Sequence, residues 1–206
     1  MNNPWLNIPL TDYEGHMALQ GIEQAQMLSD IFAEAIAKFQ PQSIAIIGSA
    51  GGNGFERIPP TVSRVVGVDL NPHFVAETKT RFENKFENLE LIVGDIQKSG
   101  ISFAPVDLIF LGLVLEYVDV DLVLAKTPSL LRTKGHIVTV LQLPTNGYQQ
   151  VTPSPFNSLL QVGTIMRYVE PNLVQTSLEA SGYTKIDSRI VTSQGGKQFQ
   201  VQEFEL

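Results

Sequence analysis

Two spacings of apolar residues alternate along the chain. Short runs that are apolar at almost every position, at 44–47, 65–68, 89–93, 106–111 and 136–142, predict five parallel strands covered on both faces. The stretches between them have the length of βαβ crossovers, with helices expected over 72–86 and 119–131. Asn71 is the expected cap of the first of these, and Pro72 sits in its opening turn, where a missing amide proton costs little. Upstream, Ile22, Met27, Leu28, Ile31, Phe32, Ala35, Ile36 and Phe39 recur at helical spacing, which predicts an amphipathic helix over 20–39 stopped by Pro41. Residues 1–15, rich in Asn and Pro around Trp5, Leu6, Ile8 and Leu10, predict an extended arm that packs on something.

The pattern changes after the fifth strand. Residues 144–155 are polar and broken by proline, and helices are expected over 156–166 and 171–181, the second closed by Gly182. Two strand-like runs, 183–192 and 198–206, are joined by Ser193-Gln194-Gly195-Gly196-Lys197, a short glycine-bearing connection that implies an antiparallel hairpin. The expected fold class is therefore α/β: a doubly wound sheet, mostly parallel, with a C-terminal antiparallel hairpin. Its organisation is expected to be an N-terminal arm and helix over 1–40, acting as a lid, on a single domain over 41–206.

Composition narrows this picture without redirecting it. A chain of 206 residues with 43% hydrophobic content is long enough for one well-buried core and too short for two. The longest apolar run, 106–115, contains Asp107 and Gly112 and falls well short of the roughly 20 residues of a membrane span. No basic region precedes an apolar one at the start, and there is no cysteine, so a cytoplasmic protein is expected, without disulfides or thiolate metal sites. The formal net charge of -7 argues against polynucleotide substrates, whose binding depends on Lys and Arg neutralising phosphates.

Candidate chemistry sits at strand ends. The turn Gly48-Ser49-Ala50-Gly51-Gly52-Asn53-Gly54 directly follows the first strand, where Gly48, Ala50 and Gly52 would let a cofactor lie against backbone amides. Asp69 ends the second strand, at about the 20-residue offset from the first glycine at which an acid meets ribose hydroxyls, with a helix cap or turn role as the alternative. Asp95 follows the third strand and could accept from an adenine amino group, with Ile96 covering the ring; a turn-forming role is as ordinary for such an Asp. The helix opened by the glycine turn must be short, because Pro59 and Pro60 interrupt it.

These residues resemble the class I S-adenosylmethionine-dependent methyltransferases, of a small-molecule type, over most of the chain from about Ser43 onward. The resemblance implies a Rossmann-like sheet and S-adenosyl-L-methionine as cofactor. It implies cofactor contacts from Gly48, Ser49, Ala50, Gly52, Asn53, Asp69, Leu70, Asp95, Ile96 and Leu111. The stretch 106–118 looks like the family's fourth motif and 130–137 like the loop leading to its fifth strand. Two departures stand out: Ile46 occupies the place of the acid that usually precedes the first glycine, and Ala50 that of the second glycine. The asparagine-proline-proline-aromatic signature of amino-directed nucleic-acid methyltransferases is absent, in keeping with the acidic charge.

In similar methyltransferases an aromatic residue of the arm closes over the cofactor, which makes Tyr13 a candidate cover and His16 a candidate base facing the acceptor; packing or solvent roles are equally open to both. His73 and His136, beside helix or strand ends, read as structural, and three histidines without ligand spacing do not suggest a metal. Glu116 and Tyr117 could line the acceptor pocket or begin a helix. Arg167 and Lys197 could hold an anionic acceptor, although solvated surface charge is the default for each. The apolar arm also leaves a homodimer open. Two rivals are a nicotinamide-dependent reductase, which predicts no terminal hairpin, and a binding protein that kept the cofactor pocket but lost catalysis.

Overall fold

The computed structural model describes residues 3–206, so the first two positions of the expected arm, Met1 and Asn2, lie outside the described residues. The strands are β1 (Ser43–Ile47), β2 (Arg64–Asp69), β3 (Asn88–Val93), β4 (Val106–Gly112), β5 (Leu131–Gln142), β6 (Thr184–Thr192) and β7 (Gln198–Glu205). They form one sheet in the order β3-β2-β1-β4-β5-β7-β6. The neighbours from β3 through to β5 are parallel, and β7 is antiparallel to both β5 and β6. This is the expected fold class, and its terminal hairpin is the feature the reductase reading excludes. Order reverses between β1 and β4, which places a ligand crevice at the carboxyl ends of these strands.

Alternation along β1 explains the two layers of helices. Ile44 and Ile46 face a core built on α2 (Gln24–Phe39), whereas Ala45 and Ile47 face a second core filled by α4 (Val120–Leu124), α5 (Thr127–Leu130) and α7 (Pro171–Ala180). Every residue of β1 is buried. Ile46 thus packs against α2 in place of a polar anchor. Among the described residues no helix is long and apolar enough to cross a membrane.

Several expected elements differ in extent, each for a physical reason. The arm is not extended: a 3-10 turn at Pro4–Asn7 leads into α1 (Leu10–Met17), whose first turn hangs on the Pro9 carbonyl, the acceptor of the Asp12 and Tyr13 N–H groups. The long helix expected over 20–39 begins at Gln24, after a turn containing Gly21. No α-helix follows the glycine turn, only a 3-10 turn at Phe55–Arg57 before the two prolines. The helix expected over 119–131 breaks into α4 and α5, because Pro128 cannot donate to Leu124 and its ring opposes that carbonyl. The Thr127 hydroxyl takes over, donating to the Leu124 carbonyl at 2.8 Å. The segment expected as a helix over 156–166 is a 3-10 turn followed by α6 (Leu160–Gly163). β5 starts earlier than expected, through an irregular stretch in which Leu131 pairs with Val106 before His136 pairs with Leu108. As expected, α3 (Pro72–Phe82) is capped by Asn71, whose side chain accepts from the His73 N–H at 2.9 Å.

Candidate active site

A single cleft runs along the carboxyl ends of β1 to β5. Gly48, Ala50, Asp69, Leu70, Asp95, Ile96, Tyr13 and His16 all line it. Gly48 has φ +73°, and a Cβ there would collide with Val114 from the loop after β4, so only glycine fits between the two strand ends. Ala50 takes the left-handed conformation itself, at φ 46°, and so holds the shape of the glycine it replaces. Asp69 braces this turn. One carboxylate oxygen accepts from the Ala50 N–H and the other from the Asn71 N–H, each at 2.8 Å. Burial pushes its carboxyl up to about 6, opposed by the N–H groups of Asn71, Ala50 and Leu70. Asp95 accepts through Oδ1 from both the backbone and the side chain of Gln97.

Four of the expected cofactor residues stand elsewhere. Ser49 is 2% exposed, with its hydroxyl buried beside Gly67 and without a partner among the described residues. Gly52 and Asn53 belong to a second pocket between α1 and α3, where Asn53 donates to the Ala25 carbonyl. Leu111 is wholly buried in the core on the α4 and α7 side of the sheet. The strand pleat explains Leu111: alternate residues face opposite sides of the sheet, and the cleft lies beyond its end.

The arm roofs the cleft. Trp5 meets Tyr13 and Tyr117 edge-on, with ring centroids 5.8 and 5.1 Å apart, and Tyr13 leans on Phe74. Asn71 holds the arm down by donating to the carbonyls of Trp5 and Ile8. α1 is tied on one side by Glu14 to Arg81, and on the other by Asp12, which accepts from Ser158 at 2.6 Å. Gly15 leaves room for the ring of Phe156, so the late segment packs directly on the arm. Trp5 was expected only as part of an arm that packs on something, and Phe74 was not singled out, since a lone aromatic carries no periodic signal. Because Trp5 packs inside its own chain's cleft, the apolar arm does not by itself call for a second subunit.

Polar groups gather at the other end of the cleft, beyond β4 and β5. His16 and Tyr13 share one face of α1 through their three-residue spacing. The His16 Nδ1 lies 2.9 Å from Ser154 Oγ, and burial, assisted by the charge of Lys197, lowers its pKa and leaves the imidazole neutral at pH 7. Glu116 is entirely buried: its Oε1 accepts from the Gln142 N–H at 2.7 Å while Oε2 has no partner among the described residues. Burial pushes this carboxyl up to about 7. Burial also raises both Tyr13 and Tyr117, with neighbouring carboxylates adding to it, so these phenols stay protonated. Arg167 is solvent-exposed as expected, and its guanidinium donates to the Val118 carbonyl. Lys197, by contrast, is buried in the cleft wall, against the expectation of a surface charge. His73 is exposed on α3, and His136 stacks on Phe39 away from the cleft.

Residues 46–139 match the family described as "Methyltransferase domain". None of the curated proteins matches the chain. Among solved structures, the N-methyltransferase NodS from Bradyrhizobium japonicum WM9, in complex with S-adenosyl-L-homocysteine, superposes with a TM-score of 0.69 at 17% identity, over 99% of this chain and 98% of that one. An S-adenosylmethionine-dependent methyltransferase from Mesorhizobium loti gives 0.63 at 15% identity, over 86% and 100%. The [4+2]-cyclase SpnF gives 0.65 at 13% identity, over 87% and 80%. Likeness at these identities is one of fold, shared by a methyltransferase and a cyclase alike. The stretch that matches, from within β1 to within β5, is similar to a methyltransferase domain, and the fold around it is the one that the S-adenosylhomocysteine-bound N-methyltransferase has.

Proposed function

We propose that the protein methylates a small molecule, with the cofactor along the β1 to β3 strand ends and the acceptor beyond β4. The observation that carries this reading is that Asp69 and Asp95, from consecutive strand ends, line one cleft with the Gly48 turn. The residues suit the cofactor: Asp69 accepts from backbone N–H groups through both oxygens and keeps acceptor capacity for ribose hydroxyls, and Asp95 Oδ2 has no partner among the described residues. When bound, S-adenosylmethionine supplies an electrophilic methyl group on a positively charged sulfur.

The chain's own part is alignment and exclusion of water. The arm over 1–40 acts as a lid, with Tyr13 and Trp5 covering the cleft and the late segment packed on the arm. His16, neutral and buried, can take a proton from an acceptor of high pKa. A cleft roofed in this way on a protein of net charge -7 supports a small acceptor over a polynucleotide.

Thermal melting tests the reading. S-adenosylhomocysteine at 100 times its dissociation constant adds about 2.7 kcal/mol, an expected rise of roughly 5 to 10 °C at this size. Asp69→Ala is expected to lose most of that rise. A shift with NADH alone would overturn the proposal, and methyl transfer to an acceptor panel separates an enzyme from a binder.

A further inference from the structure

Lys197 is the one buried lysine or arginine among the described residues, with 4% of its surface exposed. Its position follows from the hairpin. β7 runs antiparallel to β5, with Phe199 beside Gln142, so the start of β7 returns to the carboxyl edge of the sheet and brings Lys197 to the acceptor end of the cleft. The ammonium donates to the Gln150 carbonyl at 2.7 Å. It forms no ion pair among the described residues, although six of the other basic side chains do, Lys38, Arg57, Arg64, Arg81, Arg132 and Arg189. Glu116, the buried acid of the same cleft, is turned to the Gln142 N–H instead.

Holding a cation out of water with a single carbonyl for company is unfavourable, and an opposite charge brought into the same low-dielectric space offsets the cost. The neighbouring His16 is neutral and supplies no negative charge. Burial lowers the Lys197 pKa to about 8, which leaves the ammonium the main form at pH 7, and an anionic ligand entering the cleft supplies the opposite charge. Leu159, Val162 and Met166 form an apolar wall elsewhere in the same cleft, which suits an apolar body on that ligand, while Gln24, Gln142 and Gln150 add polar lining. One ammonium beside a neutral imidazole, with no second lysine or arginine lining the cleft among the described residues, matches a monoanion better than a phosphate.

We propose that Lys197 binds the carboxylate of the methyl acceptor, which makes the acceptor a small carboxylic acid with an apolar body. The proposal rests on reading the cleft as a methyl-transfer site.

The test uses the full chain saturated with S-adenosylhomocysteine. Thermal melts are run with a panel of aryl and alkyl monocarboxylates, each beside its primary amide, on the wild type, Lys197→Met and Lys197→Arg. Acids are expected to raise the melting temperature of the wild type where their amides do not. Lys197→Met should weaken the best acid at least tenfold while keeping the S-adenosylhomocysteine shift, and Lys197→Arg should retain the preference for acids. The proposal is overturned if acids and amides act alike, if no acid shifts the loaded protein, or if Lys197→Met binds the acid undiminished. Should Lys197→Met not fold, the acid-against-amide comparison on the wild type and Lys197→Arg still decides. Absence of any S-adenosylhomocysteine shift in the wild type is a separate outcome, which overturns the methyltransferase reading underneath.

Discussion

Glu116 is the residue whose chemistry is most altered by its surroundings. Its carboxyl, ordinarily near 4.5, is pushed up to about 7 by complete burial, so the folded protein takes up this proton before the unfolded chain does. The sign follows directly: stability is greatest where Glu116 is protonated in both states and falls as pH rises from about 4.5 to about 7. Glu116→Gln keeps an acceptor for the Gln142 N–H and removes the titration. Denaturant unfolding of the two proteins between pH 5 and 8 should show the wild type losing on the order of 2 to 3 kcal/mol more than the variant. Asp69 acts in the same direction over a lower range, up to about 6, and is common to both proteins. Asp69 was legible in the sequence because a strand end and a glycine turn mark its place. The state of Glu116 was not, since burial is a property of neighbours and the sequence left it between pocket and helix start.

At the scale of elements, the arm carries the least expected result. Pro9 and Gly15 disguise α1 as irregular chain, because neither is a residue of helix interiors, and the helix of eight residues is held by tertiary ties more than by propensity. Trp5 is the chain's only tryptophan, which makes its emission a direct report on the lid. S-adenosylhomocysteine is expected to change that emission, and Asn71→Ala, which frees the Trp5 and Ile8 carbonyls, should reduce the change and weaken binding. Loss of the α3 cap in the same variant should lower stability by about 1 kcal/mol, measured separately by unfolding without ligand. An emission unaffected by ligand would mean that the arm is not a lid. Strands β1 to β4, in contrast, were legible to within a residue at each end, and for β1, β2 and β4 the reason is burial on both faces, which leaves a continuous apolar run. Helix lengths were less so, as the break at Pro128 shows: an apolar period persists through a proline that the backbone cannot follow.

For the molecule as a whole, the hairpin completes the sheet and also shapes the acceptor end of the cleft. Phe204 on β7, fully buried between Ile137 of β5 and Lys185 of β6, is the side chain through which that closure can be probed. Phe204→Ala is expected to cost about 3 to 5 kcal/mol, seen as a lowered denaturation midpoint; a loss under 1 kcal/mol would show that the hairpin contributes little to the fold. Sequence alone determined the strand order's raw material: where strands start and stop, the glycine turn after β1, and acids at the ends of β2 and β3. These are local matters, decided by side-chain period and turn chemistry within a few residues. Tertiary structure decided which distant polar groups share a cleft. His16, Glu116 and Lys197 come from a short helix, the 3-10 turn after β4 and a hairpin turn, and their burial is set by packing across the sheet, a quantity that no window of sequence contains.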